Sequence, residues 1–220
     1  MIAPTRVSPI HDALLKHCPE WRECGDAQIA WRYDSADAQD AALRTLGLCD
    51  LSPLAKLGLK GPNASTWLQQ QGAPLPVSIY EALHLDDGGW IVRLGNDEFY
   101  LESGLRGEVL SHLNANLGRG RPGIARVERQ EATFLLTGSR ALEVLAQTCG
   151  INFREVPAKR LVMTRIAEVN CSVLPEGGDD LPRYRLWVDP TYAIAIWDSL
   201  EQISRELGGQ LVGALAIYGQ

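Results

Sequence analysis

Leu57-Gly58-Leu59-Lys60-Gly61-Pro62-Asn63-Ala64-Ser65-Thr66-Trp67-Leu68-Gln69-Gln70-Gln71-Gly72 reads as strand, turn and helix. An alternating apolar run stops at Gly61-Pro62. A helical pattern comes next, with Ala64, Trp67 and Leu68 on one face and Gly72 as its stop. The same grammar returns in Thr133-Phe134-Leu135-Leu136-Thr137-Gly138-Ser139-Arg140-Ala141-Leu142-Glu143-Val144-Leu145-Ala146-Gln147-Thr148-Cys149-Gly150, with a glycine after the strand, an apolar helix face and a closing glycine. The segments downstream of the two copies also match. The first copy leads into β-rich residues 90–94, the turn Gly95-Asn96-Asp97, a second β-rich run at 98–101, and a helix through Val109, Leu110, Leu113 and Leu117. The second leads into residues 169–174, a turn-rich stretch at 175–180, residues 184–188, and a helix through Ile194, Trp197, Leu200 and Ile203. One β-α-β-β-α unit is written twice. Two copies are too few for a solenoid, so the pattern predicts an α+β fold of two pseudo-symmetric halves, with Gly61 and Gly138 at equivalent strand-to-helix turns.

At 220 residues and 45% hydrophobic composition the chain can bury a substantial core. Its net charge of −6, with Lys60, Arg119, Arg121, Lys159 and Arg160 scattered or in short loops, argues against a nucleic-acid surface. No apolar run reaches membrane-spanning length, and Met1-Ile2-Ala3-Pro4-Thr5-Arg6 lacks the apolar centre of a signal peptide, so the expected location is the cytoplasm. Five widely spaced cysteines, Cys18, Cys24, Cys49, Cys149 and Cys171, fit reduced thiols better than a disulfide framework. His17, Cys18 and Cys24 resemble a fragment of a zinc site, but no second ligand cluster completes it, and no metal site is expected. His11, His17, His84 and His112 stand in no recognisable relation to the thiols, so no nucleophilic cysteine is expected either.

Residues 1–50 read as an amino-terminal arm and helix packing on the body, 51–120 as the first half and 121–220 as the second, in one compact unit. In the arm, residues 11–18 read as a short helix and 29–33 as an exposed strand. Residues 38–46 read as a helix closed by Gly47, with Gln39, Asp40 and Arg44 toward water and Ala42, Leu43 and Leu46 inward. Trp21-Arg22 and Trp31-Arg32-Tyr33 set large aromatics beside arginines with little periodicity to bury them, which predicts a partner-contact surface. The alternative is that the arm folds back over its own core. Gly118-Arg119-Gly120-Arg121-Pro122-Gly123 reads as a solvated linker, with oxyanion binding by its arginines as the competing reading.

Of the acidic clusters, Asp86-Asp87-Gly88-Gly89 reads as the tip of a turn whose two acids point apart, and Glu176, Asp179 and Asp180 as a second turn suited at most to weak cation binding. Trp67, Trp90, Trp187 and Trp197 each fall on an apolar face and are expected in the core.

Leu46-Gly47-Leu48-Cys49-Asp50-Leu51-Ser52, with Leu59-Lys60-Gly61-Pro62-Asn63-Ala64 and Leu68 after it, resembles the opening of the glycine-cleavage T-protein (aminomethyltransferase) family. Residues 134–141, Arg165 and residues 184–188 are similar to that family's later strand-Gly-helix and hairpin. The resemblance implies a folate-binding fold, normally continued by a C-terminal barrel. This sequence ends near Gly208-Gly209 and Gly213, about where barrel-bearing members continue, and so is similar in length to the sarcosine oxidase gamma-subunit family.

The resemblance also places departures. Where the family has a Gly-Gly-apolar-apolar motif and then an acidic pair whose first Asp handles the reacting amine, Gly88-Gly89-Trp90-Ile91 is succeeded by Val92 and Arg93. Where its Gly-Phe-Glu holds the pterin, Arg183-Tyr184-Arg185 stands. Valine accepts no proton and arginine is no base near neutral pH, so no catalytic residue is expected. If tetrahydrofolate binds at all, the candidate contacts are Asp86, Asp87, Asp97, Tyr100 and Arg185. The resemblance implies a non-catalytic subunit of an amine oxidase complex, with FAD, FMN and NAD held by flavin- and dinucleotide-binding partner chains. The alternatives are a free-standing tetrahydrofolate-binding aminomethyltransferase-like protein, or an interaction protein of this fold.

Overall fold

The computed structural model of the chain describes residues 6–119, 121–177 and 181–219. Residues 1–5 of the arm, Gly120 of the linker and the acids Asp179 and Asp180 lie outside the described residues. In chain order the elements are α1 (His11–Leu15), β1 (Glu20–Cys24), β2 (Ala27–Arg32), α2 (Ala36–Thr45), β3 (Gly47–Asp50), β4 (Lys56–Lys60), α3 (Ala64–Gln70), β5 (Ala82–His84), β6 (Trp90–Gly95), β7 (Glu98–Glu102), α4 (Glu108–Leu117) and β8 (Ala125–Val127). Then come β9 (Ala132–Thr137), α5 (Ala141–Thr148), β10 (Val162–Ile166), β11 (Val169–Pro175), β12 (Arg183–Val188), α6 (Ala193–Glu206), β13 (Gln210–Leu211) and α7 (Ala214–Tyr218).

The chain divides into two units. One holds residues 1–53, 131–158 and 162–220, and the other 54–130 and 159–161. The sheet of the second unit runs β5-β6-β7-β4-β8, and the large sheet of the first runs β10-β11-β12-β9-β3-β13. Substituting β9 for β4, β10 for β5, β11 for β6 and β12 for β7 converts the first four strands of one order into those of the other. The repeat read from the sequence is therefore present in the strand order, and the fold is α+β. Each half carries one strand beyond the expected hairpin, β5 or β10, at the far edge of its sheet. The flanking strands cross over: β3, which leads into the first repeat, pairs with β9, while β8, which leads into the second, pairs with β4. Among the described residues no sheet closes into a barrel.

The two turns match bond for bond. Gly61 has φ +137° and Gly138 φ +100°. The Gly61 N–H donates to the Asp97 carbonyl (2.8 Å) and the Gly138 N–H to that of Pro182 (2.9 Å). Two residues on, Asn63 N–H reaches Gly123 O (3.1 Å) and Arg140 N–H reaches Thr45 O (3.0 Å). A Cβ on Gly61 would lie 2.3 Å from the Gly123 carbonyl oxygen, and one on Gly138 2.5 Å from that of Thr45. Both the left-handed φ and the close approach of the flanking strand's lead-in demand glycine here. The closing glycines do not match. Gly72 is left-handed (φ +77°), whereas α5 ends in an extended Cys149 and Gly150 takes no positive φ.

In the second unit, Leu57, Leu59, Ile91, Phe99 and Leu101 of the sheet form a core with Ala64, Trp67, Leu68, Leu110, Leu113 and Leu117 of α3 and α4. In the first, Phe134, Leu136, Val173 and Leu186 meet Val144, Leu145, Ile196, Trp197 and Leu200 of α5 and α6. Trp67, Trp90, Trp187 and Trp197 are all buried, as their periodicity predicts.

Several local expectations are corrected. Trp197 and Leu200 of the expected α6 stripe are buried, but Ile194 is 57% exposed because α6 turns Ala193 and Ile196 inward in its place. Gln39 is buried, not water-facing, and its Oε1 accepts from the Gly213 N–H at 2.8 Å. Gly47 does not close α2 but begins β3. The strand at 29–33 is not exposed: Ile29 and Trp31 are buried, Arg22 lies 4.2 Å over the Trp31 ring, and the Tyr33 hydroxyl is enclosed. Trp21, half-buried, packs 4.6 Å from the His11 ring. The arm folds over its own core, so the expected contact surface at Trp21, Trp31 and Tyr33 is corrected to interior packing. Arg121 spends its guanidinium on the Asn116 carbonyl at the end of α4 (2.7 and 3.0 Å) and is not splayed to receive an oxyanion.

Candidate functional site

Strand alternation places the residues opposite each helix-covered face. In the second unit these are Lys56, Tyr100, Glu102 and Val92, beside Gly58. In the first they are Cys49, Leu135, Leu174, Arg185 and Trp187. Because Lys60 pairs with Glu98 as Thr137 pairs with Arg183, Tyr100 and Arg185 occupy equivalent positions of the repeat. Both were candidates for folate contact, and both are buried, at 4% and 2% exposed.

Each of these faces carries a buried ion pair. In the second unit Lys56 Nζ lies 3.4 Å from Glu102 Oε2, and also donates to the Leu54 carbonyl at 3.0 Å. The Tyr100 hydroxyl donates to the same Glu102 oxygen at 3.5 Å, and Arg129 sits 5.8 Å from the Tyr100 ring centre. In the first unit Arg185 Nε donates to Glu176 Oε1 at 2.5 Å, while its Nη2 reaches the Tyr218 hydroxyl at 3.5 Å. Glu176 is therefore no solvent turn residue suited to a loose cation. It ends β11 with its N–H on the Arg183 carbonyl and its carboxylate on a buried guanidinium. The Arg185 charge is compensated within the fold by the Glu176 carboxylate. A buried charge persists only when paired in this way.

The acids of residues 86–87 do point apart. Asp86 is exposed, whereas Asp87 is 7% exposed and accepts three backbone N–H groups, from Gly89 (3.0 Å), Gly104 (3.2 Å) and Val109 (3.3 Å). Asp87 thus ties the β5–β6 turn to the loop after β7 and to the start of α4. A carboxylate engaged in this way has little capacity left for a ligand. Asp97 is exposed in the β6–β7 turn, where its carbonyl holds the Gly61 N–H. The structure does not gather Asp86, Asp87, Asp97 and Tyr100 into one cluster: Asp87 faces a turn, Asp86 and Asp97 face solvent, and Tyr100 faces Glu102.

Asp50 and Ser52 form a second structural clamp. Asp50 Oδ1 accepts from the Ser52 N–H (3.0 Å) and hydroxyl (2.5 Å), and Ser52 Oγ accepts from the Thr133 N–H (3.0 Å). The motif that carried the resemblance is thereby explained as a pin between the end of β3 and the start of β9. Burial pushes the neighbouring Cys49 thiol well above its ordinary value, with Asp50 adding to the effect. Cys171 is raised in the same way, chiefly by burial. Neither is an activated nucleophile. Among the described residues no group of three or more His, Cys, Asp or Glu side chains could hold a metal ion.

The GCVT N-terminal domain model matches residues 10–218, nearly the whole chain. The chain belongs to that family. No curated protein matches it. Among solved structures, this GCVT N-terminal domain is similar to the glycine cleavage system aminomethyltransferase T from Bartonella henselae, at 17% identity and TM-score 0.75, covering 96% of this chain and 60% of that one. It is also similar to a chain of the heterotetrameric sarcosine oxidase from Corynebacterium sp. U-96, at 21% identity and TM-score 0.62, covering 80% of this chain and 93% of that one. At such identities the likeness shows the fold. The chain spans 60% of the aminomethyltransferase's length.

Within this family fold, the three positions where the resemblance implies carboxylates are filled by residues doing other things. Val92 is fully buried in β6 and offers no acceptor. Arg93 donates to four backbone carbonyls, those of Gly95 (3.2 Å), Pro76 (3.2 Å), Val77 (3.0 Å) and Asn96 (2.6 Å), and lies 5.5 Å from the Phe99 ring centre. Arg185 stands where the resemblance implies a pterin-holding Glu, and Glu176, the carboxylate it pairs with, is engaged by it. These residues do not fit a tetrahydrofolate ring held in the family's manner. Sequence reasoning missed the partners Lys56, Glu102 and Glu176. The signal for the first two was in reach, since strict alternation along residues 98–102 puts Glu102 on a buried face.

Proposed function

We propose that this chain is a non-catalytic, gamma-type subunit of a heterotetrameric, flavin-dependent sarcosine oxidase or N-methyl amino acid dehydrogenase-like complex acting in one-carbon metabolism in the cytoplasm. The observation that carries the reading is the 93% coverage of a chain within a heterotetrameric sarcosine oxidase. The replacements Val92, Arg93 and Arg185 support it, because each removes an acceptor that amine or pterin chemistry would use. On this reading the chain binds no cofactor of its own. FAD, FMN and NAD belong to flavin- and dinucleotide-binding partner chains, and the GCVT-type body serves as a scaffold. A second reading, a free-standing tetrahydrofolate-binding aminomethyltransferase-like protein, is favoured by the higher fold agreement over 96% of the chain. Co-expression with flavin- and dinucleotide-binding chains of the sarcosine oxidase type separates the two. The subunit reading expects a complex that survives gel filtration and carries flavin absorbance. A chain that elutes alone while transferring one-carbon units from a methylamine substrate to tetrahydrofolate supports the second.

A further inference from the structure

We infer that the loop 74–80 and the cleft beside it form the surface by which this chain docks a protein partner, and that the partner segment presents apolar side chains next to lysine or arginine. The inference rests on the subunit reading and names where assembly occurs. Val77 is 81% exposed and Ile79 40% exposed, the former the most exposed large apolar side chain among the described residues. Isolated exposed apolar residues are common on surfaces, but this one is held in place from both sides. The Val77 N–H donates to Glu81 Oε2 (2.7 Å), which also takes the Ser78 N–H (2.8 Å), and the Val77 carbonyl accepts from Arg93 Nη1 (3.0 Å). Further along, Tyr80 adopts a left-handed φ of +67°, its N–H on the Arg93 carbonyl (2.7 Å) and its carbonyl on the Leu161 N–H (2.8 Å). A loop fixed by two charged side chains while its apolar tip faces water is organised in advance for contact, which lowers the entropic cost of association.

The cleft that continues from Pro74 has a volume of about 300 Å³ and is floored by Ala73, Leu85, Val109 and Leu113. Asp86 and Glu108 stand on its lining, both exposed and neither with a hydrogen-bond or ion partner among the described residues. An apolar floor beside two unengaged carboxylates is complementary to a segment whose aliphatic residues flank a cation. Arg93, which stands where the resemblance expects an acid, is on this account a positioning residue for the docking loop.

The test is co-expression of the full chain and its variants with flavin- and dinucleotide-binding chains of the sarcosine oxidase type, read by gel filtration and by dissociation rate on an immobilised complex. Val77→Asp, and separately the double charge reversal Asp86→Lys with Glu108→Lys, should each raise the dissociation constant by about tenfold or more. Val77→Asp should leave the melting temperature of the chain alone unchanged, because that side chain already faces water. Arg93→Lys should weaken assembly less and expose the 76–79 peptide bonds to proteolysis. If the wild-type chain assembles and both the Val77 and the charge-reversal variants assemble equally well, the docking surface is refuted while the subunit reading stands. If the wild-type chain assembles with neither of these chains, the subunit reading fails and this inference falls with it.

Discussion

The two halves of the repeat agree where the backbone turns and disagree where side chains meet on the helix-free faces. Gly61 and Gly138 share left-handed φ, the same bond two residues downstream and the same crowding by a flanking strand. Yet at the equivalent positions Tyr100 and Arg185 the halves differ, one carrying a Lys56–Glu102 pair whose carboxylate also takes the Tyr100 hydroxyl, the other an Arg185–Glu176 pair. Backbone geometry tolerates almost no substitution at a crowded glycine, whereas a buried face tolerates any set of side chains that satisfies its own charges. That difference is why two halves can share one backbone while their buried faces carry different side chains.

The ion pairs give the largest effects. Glu102→Gln and Glu176→Gln each leave a cation buried against a neutral amide, and each should destabilise the chain by about 3–5 kcal/mol in urea unfolding. Glu102 should be the costlier, since it is fully buried and accepts from the Tyr100 hydroxyl as well as facing Lys56. A loss below about 1 kcal/mol at either site would show that its pair contributes nothing. Next come the turns. Gly61→Ala and Gly138→Ala both force a Cβ into a carbonyl oxygen at a left-handed φ, and both should cost about 3 kcal/mol. A large loss at one glycine and none at the other would break the equivalence of the halves.

The smallest effect is a pH asymmetry. The cysteines all lie in the first unit, where burial holds the Cys49 and Cys171 thiols and the Tyr33 phenol above their ordinary values. In the unfolded chain the thiols ionise near pH 9.0, while in the folded chain they remain protonated. The unfolded state then binds fewer protons, so stability is complete below about pH 9 and falls as pH rises beyond it. The melting temperature should drop between pH 8 and 10.5, and Cys49→Ala with Cys171→Ala should shallow that drop. An unchanged slope in the double variant would contradict the assignment.

The repeat was legible because its signals are local: a glycine after a strand, a 3.6-residue stripe, a turn of Gly95-Asn96-Asp97. The edge strand β5 was not, since Ala82–His84 is three residues long and acquires its identity only by pairing with β6. Nor was the fate of Trp31 and Tyr33, because nothing within the arm shows that Gly213 approaches the Trp31 carbonyl closely enough to exclude a side chain. The role of Arg93 as a clamp was not legible either, because it depends on carbonyls from sixteen and seventeen positions upstream. Glu176 looked like its neighbours in a turn, and only the register of β11 on β12 turns it toward Arg185.

We propose that Val92, Arg93 and Arg185, which stand where the resemblance implies carboxylates for amine and folate chemistry, serve structure and hold no tetrahydrofolate. Isothermal titration of tetrahydrofolate into the purified chain tests it directly. Each missing charged hydrogen bond costs roughly 1.5–3 kcal/mol, about one to two decades of affinity. With Val92, Arg93 and Arg185 in place the account predicts no measurable heat up to millimolar ligand. Binding at micromolar or tighter concentrations, weakened by Arg185→Ala, would contradict it and restore the folate-dependent reading.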